Sequence, residues 1–145
     1  MRDEFSEKQM KMVLEGKDID FHYKHECEEH YKEYHWKELT EKEQLLVRKW
    51  VRFMFSKSKY INHGRSSYGL KHSCESDVGY YVHNDMMKKA FILEGFKAET
   101  GRINWYFNIK NKITKEKSEK FKELFKEEMD EIDREYKIRK GIKED

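Results

Sequence analysis

The residues best suited to chemistry lie at His25–His30, where the sequence reads HECEEH. A zinc-dependent hydrolase of the His-Glu-x-x-His type needs two histidines four residues apart on one helix face, beside a glutamate that activates the metal-bound water. Here the two histidines are five residues apart, which separates them by about 140° around a helix. Adding His22 leaves Cys27 on the opposite face. We therefore predict no metal site, and a zinc-dependent enzyme remains only a third alternative.

The two cysteines, Cys27 and Cys74, are too few for a disulfide framework and are predicted to be reduced thiols. His72 and His83 flank Cys74 in sequence, as they would in a thiol site. Nothing nearby marks Cys74 as an activated thiolate, so we predict a buried structural cysteine. The chain also lacks a nucleophile elbow and a glycine-rich phosphate loop. We predict that the protein is not an enzyme and has no cofactor.

The charge of the chain is unevenly distributed, although the net charge is only +2. Residues 1–45 carry 8 Lys and Arg against 13 Asp and Glu, a net charge of −5. Residues 46–112 carry 13 against 5, or +8, and residues 113–145 carry 10 against 11, or −1. A basic cluster of this kind is typical of phosphate binding, and it also suits an acidic protein partner.

Apolar runs long enough to cross a membrane, about 18 residues, do not occur in the sequence. The first twelve residues, MRDEFSEKQMKM, have no apolar signal-peptide core. We expect a cytoplasmic protein of the host cell that makes no membrane contact.

The elements that would position these residues begin with an acidic helical arm, residues 1–39, broken near Gly16–Asp20. Thr40–Glu43, with the sequence TEKE, then predicts a capping box, in which the hydroxyl and the carboxylate bond reciprocally to the first turn. The helix that follows is predicted to bury one face, formed by Leu46, Trp50, Phe53 and Met54.

The middle of the chain is punctuated by Gly, Ser and Asn. Residues 56–67, SKSKYINHGRSS, read as a turn-rich connection, after which Ser66 or Ser67 is predicted to cap a helix that Gly79 ends. Tyr80–Val82 is a candidate strand. Asn84 is predicted to cap the next helix, Asp85 to Glu94, with Gly95 as its left-handed C-terminal residue.

Phe96–Glu99 and Arg102–Ile109 then predict a β-hairpin. Its inward face is expected to include Trp105 and Phe107, whereas an outward Tyr106 could stack on a base or a guanidinium. Three helices followed by a ribbon, over residues 41–110, is the order of a winged helix. The Val78–His83 link is longer than the 3–4-residue turn of a helix-turn-helix. Another small α+β core with the same order of elements therefore remains an alternative.

The last element is predicted as one long amphipathic helix from Thr114 to Gly141. Twenty-six residues make a rod of about 39 Å, longer than a small core can cover. We expect part of it to pack on the N-terminal arm or on a second copy of the chain. Its predicted apolar stripe is Phe121, Leu124, Phe125, Met129, Ile132 and Tyr136.

The predicted fold is mainly α with a small β-hairpin, a winged-helix-like core flanked by helices. Its segments are an acidic arm (1–39), a basic winged-helix-like module (40–112) and a long charged helix (113–145). Contact with nucleic acid or a partner is assigned to Arg65, Lys71, His72, Lys88, Lys89, Lys97, Arg102 and Tyr106.

From Tyr60 to Ile109, one third of the chain, the sequence resembles small proteins of bacterial phages and mobile elements. The matching residues are SSYGLKH at 66–72, Tyr81-Val82, Asn84, Ala90, Gly95-Phe96, Asn104-Trp105 and Phe107-Asn108-Ile109. The resemblance implies an intracellular protein encoded by such an element. Proteins of that kind are often inhibitors of host defence, anti-CRISPR proteins among them, or small DNA-binding regulators.

Two functional hypotheses follow. The first is a non-enzymatic, anti-CRISPR-like inhibitor of a host nucleoprotein machine, with the basic module on nucleic acid or its binding groove and the charged arms on protein. The second is a winged-helix transcriptional regulator, dimeric through its C-terminal helix. The acidic arms favour the first, because they weaken long-range attraction to DNA.

Overall fold

The structure, a computed structural model, describes residues 34–141 and has a mixed α+β fold. The predicted N-terminal helices, with His22, His25, Cys27 and His30, lie outside the described residues. The elements, in chain order, are α1 (Tyr34–Lys37), α2 (Glu41–Met54), β1 (Ser56–Ser66), α3 (Ser67–Val78), α4 (Asn84–Leu93), β2 (Ala98–Glu99), β3 (Tyr106–Lys110), α5 (Lys115–Leu124) and α6 (Lys126–Arg139). Between residues 34 and 141, no helix has the length and hydropathy that a membrane span requires.

Helix α2 begins at the predicted capping box, which the structure confirms. The Thr40 hydroxyl accepts a hydrogen bond from the Glu43 amide at 3.2 Å, and the Glu43 carboxylate accepts one from the Thr40 amide at 2.7 Å. The helix buries Leu46, Trp50 and Met54, with Phe53 partly buried against the same core. The predicted inward face is therefore confirmed.

The sheet is antiparallel with the strand order β1-β3-β2. The predicted β2–β3 ribbon is present with shorter strands, since residues 96–97 and 100–105 are not in a strand. The turn-rich connection predicted over residues 56–67 is wrong. Ser56–Ser66 is instead a strand that pairs with β3. It is irregular: β1 advances five residues from Lys57 to Asn62 while β3 advances two, from Ile109 to Phe107. The excess residues bulge from the ladder, here and again between Asn62 and Ser66.

Helix α3 begins and ends as predicted. The Ser66 hydroxyl accepts a hydrogen bond from the Gly69 amide at 3.4 Å, and Gly79 ends the helix with φ of +90°. Tyr80–Val82 does not form a strand.

The N-terminus of α4 differs from the prediction, because the chain is extended at His83 and already helical at Asn84. Asn84 is therefore not the cap. Its amide nitrogen donates to Asn104 Oδ1 at 2.8 Å and so ties α4 to the loop before β3. Gly95 ends the helix with φ of +86°, as predicted.

One hydrophobic core forms between the helices and the inner face of the sheet. Trp50, Phe91, Trp105 and Phe107 are fully buried, and the rings of Phe91 and Phe107 stack at 4.3 Å. These burials confirm the inward positions predicted for Trp50, Trp105 and Phe107. The same cluster includes Trp36 and Leu39 from the first predicted segment and Phe121 and Ile132 from the last.

The C-terminal region is not the single long helix that the sequence predicted. Phe125, with φ of −110° and ψ of 20°, leaves the helical conformation and separates α5 from α6. Helix α6 then lies against α2 of the same chain, where Lys42 contacts Glu131 and Glu135, each at 2.5 Å. Dimerisation through this region stays a prediction.

Candidate nucleic-acid interface

Two of the residues predicted to bind phosphates, Lys88 and Lys89, are buried in α4. Lys88 is fully buried with its ammonium 4.6 Å from the centre of the Trp105 ring, and Lys89 is 7% exposed with its ammonium 5.8 Å from that of Trp36. Burial lowers the pKa of Lys89 to about 8. The prediction that α4 presents both lysines to solvent is therefore wrong. The reason is that α4 packs against α1, α2 and α3 and is apolar around most of its circumference, at Met86, Met87, Ala90, Phe91 and Ile92.

Three further predicted residues make side-chain contacts with residues of α3: Arg65, Lys71 and His72. Arg65 donates to the Gly69 carbonyl at 3.2 Å and to the Ser73 hydroxyl at 2.6 Å. Lys71 is only 4% exposed and forms an ion pair of 3.1 Å with Glu75. His72 is exposed, with its Nδ1 3.2 Å from the other oxygen of Glu75.

The remaining predicted residues, Lys97, Arg102 and Tyr106, belong to the β2–β3 ribbon. Lys97 and Arg102 are exposed, and within the part of the chain that the structure describes their side chains make no hydrogen bond or ion pair. Tyr106 is partly exposed on β3. The predicted residues thus do not form one continuous exposed face, since Lys71, Lys88 and Lys89 are buried.

The exposed positive charge is concentrated on the sheet instead. Residues 55–66 and 95–112, which contain the three strands, carry 7 Lys and Arg against the single acid Glu99, a net charge of +6. Since the whole chain has +2, the remaining residues carry −4. The cations that the sequence reasoning left out of the site are Lys57, Lys59, Lys110 and Lys112. A signal was available, because no Asp or Glu occurs between Glu43 and Glu75.

Alternation along β3 defines what we call the outer face of the sheet, formed by His63, Lys97, Glu99, Tyr106 and Lys110. Phe107 and Ile109 are buried in the core, so Tyr106 and Lys110 project to the opposite side. Glu99 pairs directly with Tyr106 and therefore shares this side. Lys97 precedes Glu99 by two residues, which places it on the same side.

Asn108 links β3 by hydrogen bonds to the bulge of β1 and to the backbone before β2. It lies between Tyr106 and Lys110 on β3 but is only 6% exposed. Its amide nitrogen donates to the Ser58 carbonyl at 2.9 Å, and its amide oxygen accepts from the Lys97 backbone at 2.7 Å. The Asn108 side chain therefore bonds to the neighbouring chain segment on each side of β3.

Aromatic rings are interspersed among these cations. The His63 and Tyr106 rings lie 5.2 Å apart, and His63 Nε2 is 2.9 Å from the Glu99 carboxylate. Tyr60, in the first bulge of β1, is 67% exposed, with the Lys59 ammonium 5.7 Å from its ring centre. Cations that attract phosphates, next to rings on which bases stack, are the features of a nucleic-acid surface.

Other chemistry has little support among residues 34–141. No group of three His, Cys, Asp or Glu side chains there is arranged to hold a metal ion. Cys74 is fully buried, and burial raises the pKa of its thiol well above the usual value, which confirms the predicted structural cysteine. A cleft of about 590 Å³ between α6 and the Gly79–His83 loop shares no lining residue with the outer face.

Comparison with protein families, curated proteins and solved structures finds no significant match to this chain. Its function is therefore argued from the surface itself.

Proposed function

We propose that this chain is a non-enzymatic protein of a phage or mobile element that inhibits a host nucleoprotein machine, by placing its outer face on the nucleic acid of that machine. The concentration of +6 in the strand-bearing segments 55–66 and 95–112 carries the proposal. The side chains of Lys97, Arg102, Lys110 and Lys112 are exposed and form no ion pair within residues 34–141, so phosphates can reach them without breaking an internal contact.

The charge of the rest of the chain favours a target that contains protein as well as nucleic acid. Outside the strand-bearing segments the chain carries −4, which reduces the long-range attraction to a free polyanion. Protein contacts by acidic side chains outside the strand-bearing segments would supply the missing affinity. The resemblance to phage and mobile-element proteins supports the same context.

A winged-helix transcriptional regulator is the second candidate. The order α2-β1-α3-α4-β2-β3 and the strand order β1-β3-β2 favour a winged-helix core, in which the strand after the first helix pairs with the last strand of the wing. The burial of α4 speaks against the DNA-binding role, because the helix in the recognition position must offer side chains to base edges. We therefore rank the regulator second.

The proposal is tested by phage plating on hosts with active nucleic-acid-guided defence systems, with and without expression of this chain. We expect expression to raise the plating efficiency on at least one such host. The sheet variant Lys97→Ala/Arg102→Ala/Lys110→Ala should lose the effect. A control variant, Lys115→Ala/Lys120→Ala/Arg134→Ala, removes the same charge from exposed positions of α5 and α6 and should retain it.

Equal activity of the sheet variant and the wild type would contradict the proposal, as would unchanged plating on every such host. The regulator would be supported instead if the wild type alone binds one duplex sequence in strong preference to others.

A further inference from the structure

We infer that the outer face takes single-stranded rather than duplex nucleic acid, with bases stacked on His63 and Tyr106, phosphates on Lys97 and Lys110, and Tyr60 in the adjoining bulge of β1 as a further stacking ring. This inference rests on the proposed function and names the class of ligand at that surface.

The buried state of α4 is the first argument. A duplex is read by an element that enters the major groove, and the helix in that position of this fold has all its residues from Asp85 to Ile92 buried. The outer face is instead a sheet surface interrupted by the bulges of β1. A strand whose bases are unpaired needs no element that enters a groove, since its bases can turn towards the protein.

The placement of the rings is the second argument. Tyr106 and His63 lie 5.2 Å apart with their planes at 58°, and the 2.9 Å contact with Glu99 fixes the imidazole. The pair is thus ordered before any ligand arrives. Tyr60 exposes two thirds of its surface at a bulge, and Lys59 is its cationic neighbour. Aromatic rings beside cations bind bases of any sequence, because every base has a π-face.

The spacing on β3 is the third argument. Side chains two residues apart on a strand are separated by about 6.8 Å, so Tyr106 and Lys110 are about 13 Å apart on the same side. Sheets that carry aromatic residues in this way stack two or three bases of a single strand. Among residues 34–141, Glu99 is the one carboxylate assigned to this face, and its contact with His63 leaves the cations Lys97 and Lys110 for the phosphates.

The test is fluorescence anisotropy with labelled oligonucleotides of fifteen thymidines or fifteen uridines, and with a duplex of the same length. We expect tighter binding of a single strand than of the duplex. Tyr60→Ala, at an exposed position, should weaken single-strand binding by about five-fold or more and leave the salt dependence unchanged. Lys97→Ala/Lys110→Ala should flatten the slope of log affinity against log salt by up to about 1.4.

Tyr136→Ala, at an exposed tyrosine on α6, is the matched control and should change neither quantity. Tyr106→Thr, which replaces the ring by a β-branched residue that strands favour, repeats the stacking test at a second position, with circular dichroism to verify the fold. Equal binding of duplex and single strand would overturn the stacking inference, as would full affinity in both Tyr60→Ala and Tyr106→Thr. The basic face of the proposed function would still stand. Absence of binding to all three probes also overturns the stacking inference. The plating assay then reports separately whether the proposed function holds.

Discussion

The indole nitrogen of Trp50 donates a hydrogen bond of 2.8 Å to the carboxylate of Asp77 inside the core. The same carboxylate oxygen accepts a hydrogen bond of 3.1 Å from Ser118, and the Lys122 ammonium lies 3.9 Å from the other oxygen. One buried acid therefore joins α2 and α3 to α5. A buried carboxylate is stable only when such partners replace its water.

Asp77→Ala should lower the free energy of unfolding by about 1–3 kcal/mol, because it leaves the buried Trp50 nitrogen without an acceptor. Asp77→Asn should cost less, since the amide oxygen can still accept. Urea unfolding followed by tryptophan fluorescence measures both. Asp133→Ala, at an exposed acid on α6, is the control. Equal losses for Asp77→Ala and Asp133→Ala would contradict this role.

Trp105→Ala should cost about 3–5 kcal/mol of unfolding free energy, because a fully buried indole is replaced by a cavity beside the buried Lys88. The Trp105 backbone also bonds in both directions to Ser67, at 2.7 and 3.0 Å, so the cavity adjoins a fixed strand–helix junction. Thermal and urea unfolding measure the loss. Ile103→Ala, 39% exposed in the preceding loop, should be much milder, and comparable losses would argue against the position of the ribbon.

The Cys74 thiol should be unreactive in the folded protein. It is fully buried with a raised pKa, so both access and the thiolate fraction are low. A Cys27→Ser variant isolates it, and its reaction with a chromogenic disulfide should begin only as urea unfolds the chain. Since the unfolded thiol ionises at lower pH than the folded one, alkaline pH above about 9 should reduce stability. Rapid labelling without denaturant would contradict its burial.

Glu75 should contribute a pH-dependent part of the stability. Burial opposes its ionisation, but hydrogen bonds from Lys71, the Val82 amide and His72 outweigh burial and hold the pKa below its usual 4.5. A lowered pKa favours folding above pH 4.5, and this contribution is lost as the pH falls through the folded value. Glu75→Gln should therefore lower stability near pH 7 and flatten the acid limb of the stability curve. Glu123→Gln, exposed on α5, should leave that limb unchanged.

Local signals predicted the elements that local chemistry determines. The capping box at Thr40 and the left-handed glycines at Gly79 and Gly95 each need only their own neighbours, and the structure confirms all three. By contrast, β1 has few of the β-branched and aromatic residues that mark strands. It is a strand because β3 pairs with it, which a reading of its own residues cannot show.

The candidate site was predicted least well where lysines were assumed to be exposed. Lys88 and Lys89 lie in the run MMKKAFIL, and a helix that is apolar on most sides is a buried helix whatever cations it carries. The break at Phe125 was missed because the apolar stripe continues through it, from Phe121 to Ile132. Tyr106 was placed on the ribbon by its alternation with Trp105 and Phe107, and it lies on β3. Lys97 and Arg102 lie in the same segment but outside its strands.

The bulges of β1 also bear on how the protein behaves at high concentration. Within residues 34–141, β1 is an edge strand of eleven residues, and an edge of that length normally offers a regular row of amides and carbonyls to a strand of another molecule. Here two shifts of register interrupt the row, and Lys57 and Lys59 bring positive charge to it. Approach of a second copy edge to edge would therefore meet mismatched hydrogen-bonding groups and like charges. The bulge in which Tyr60 is exposed therefore also disfavours association of the sheets of different molecules into fibres.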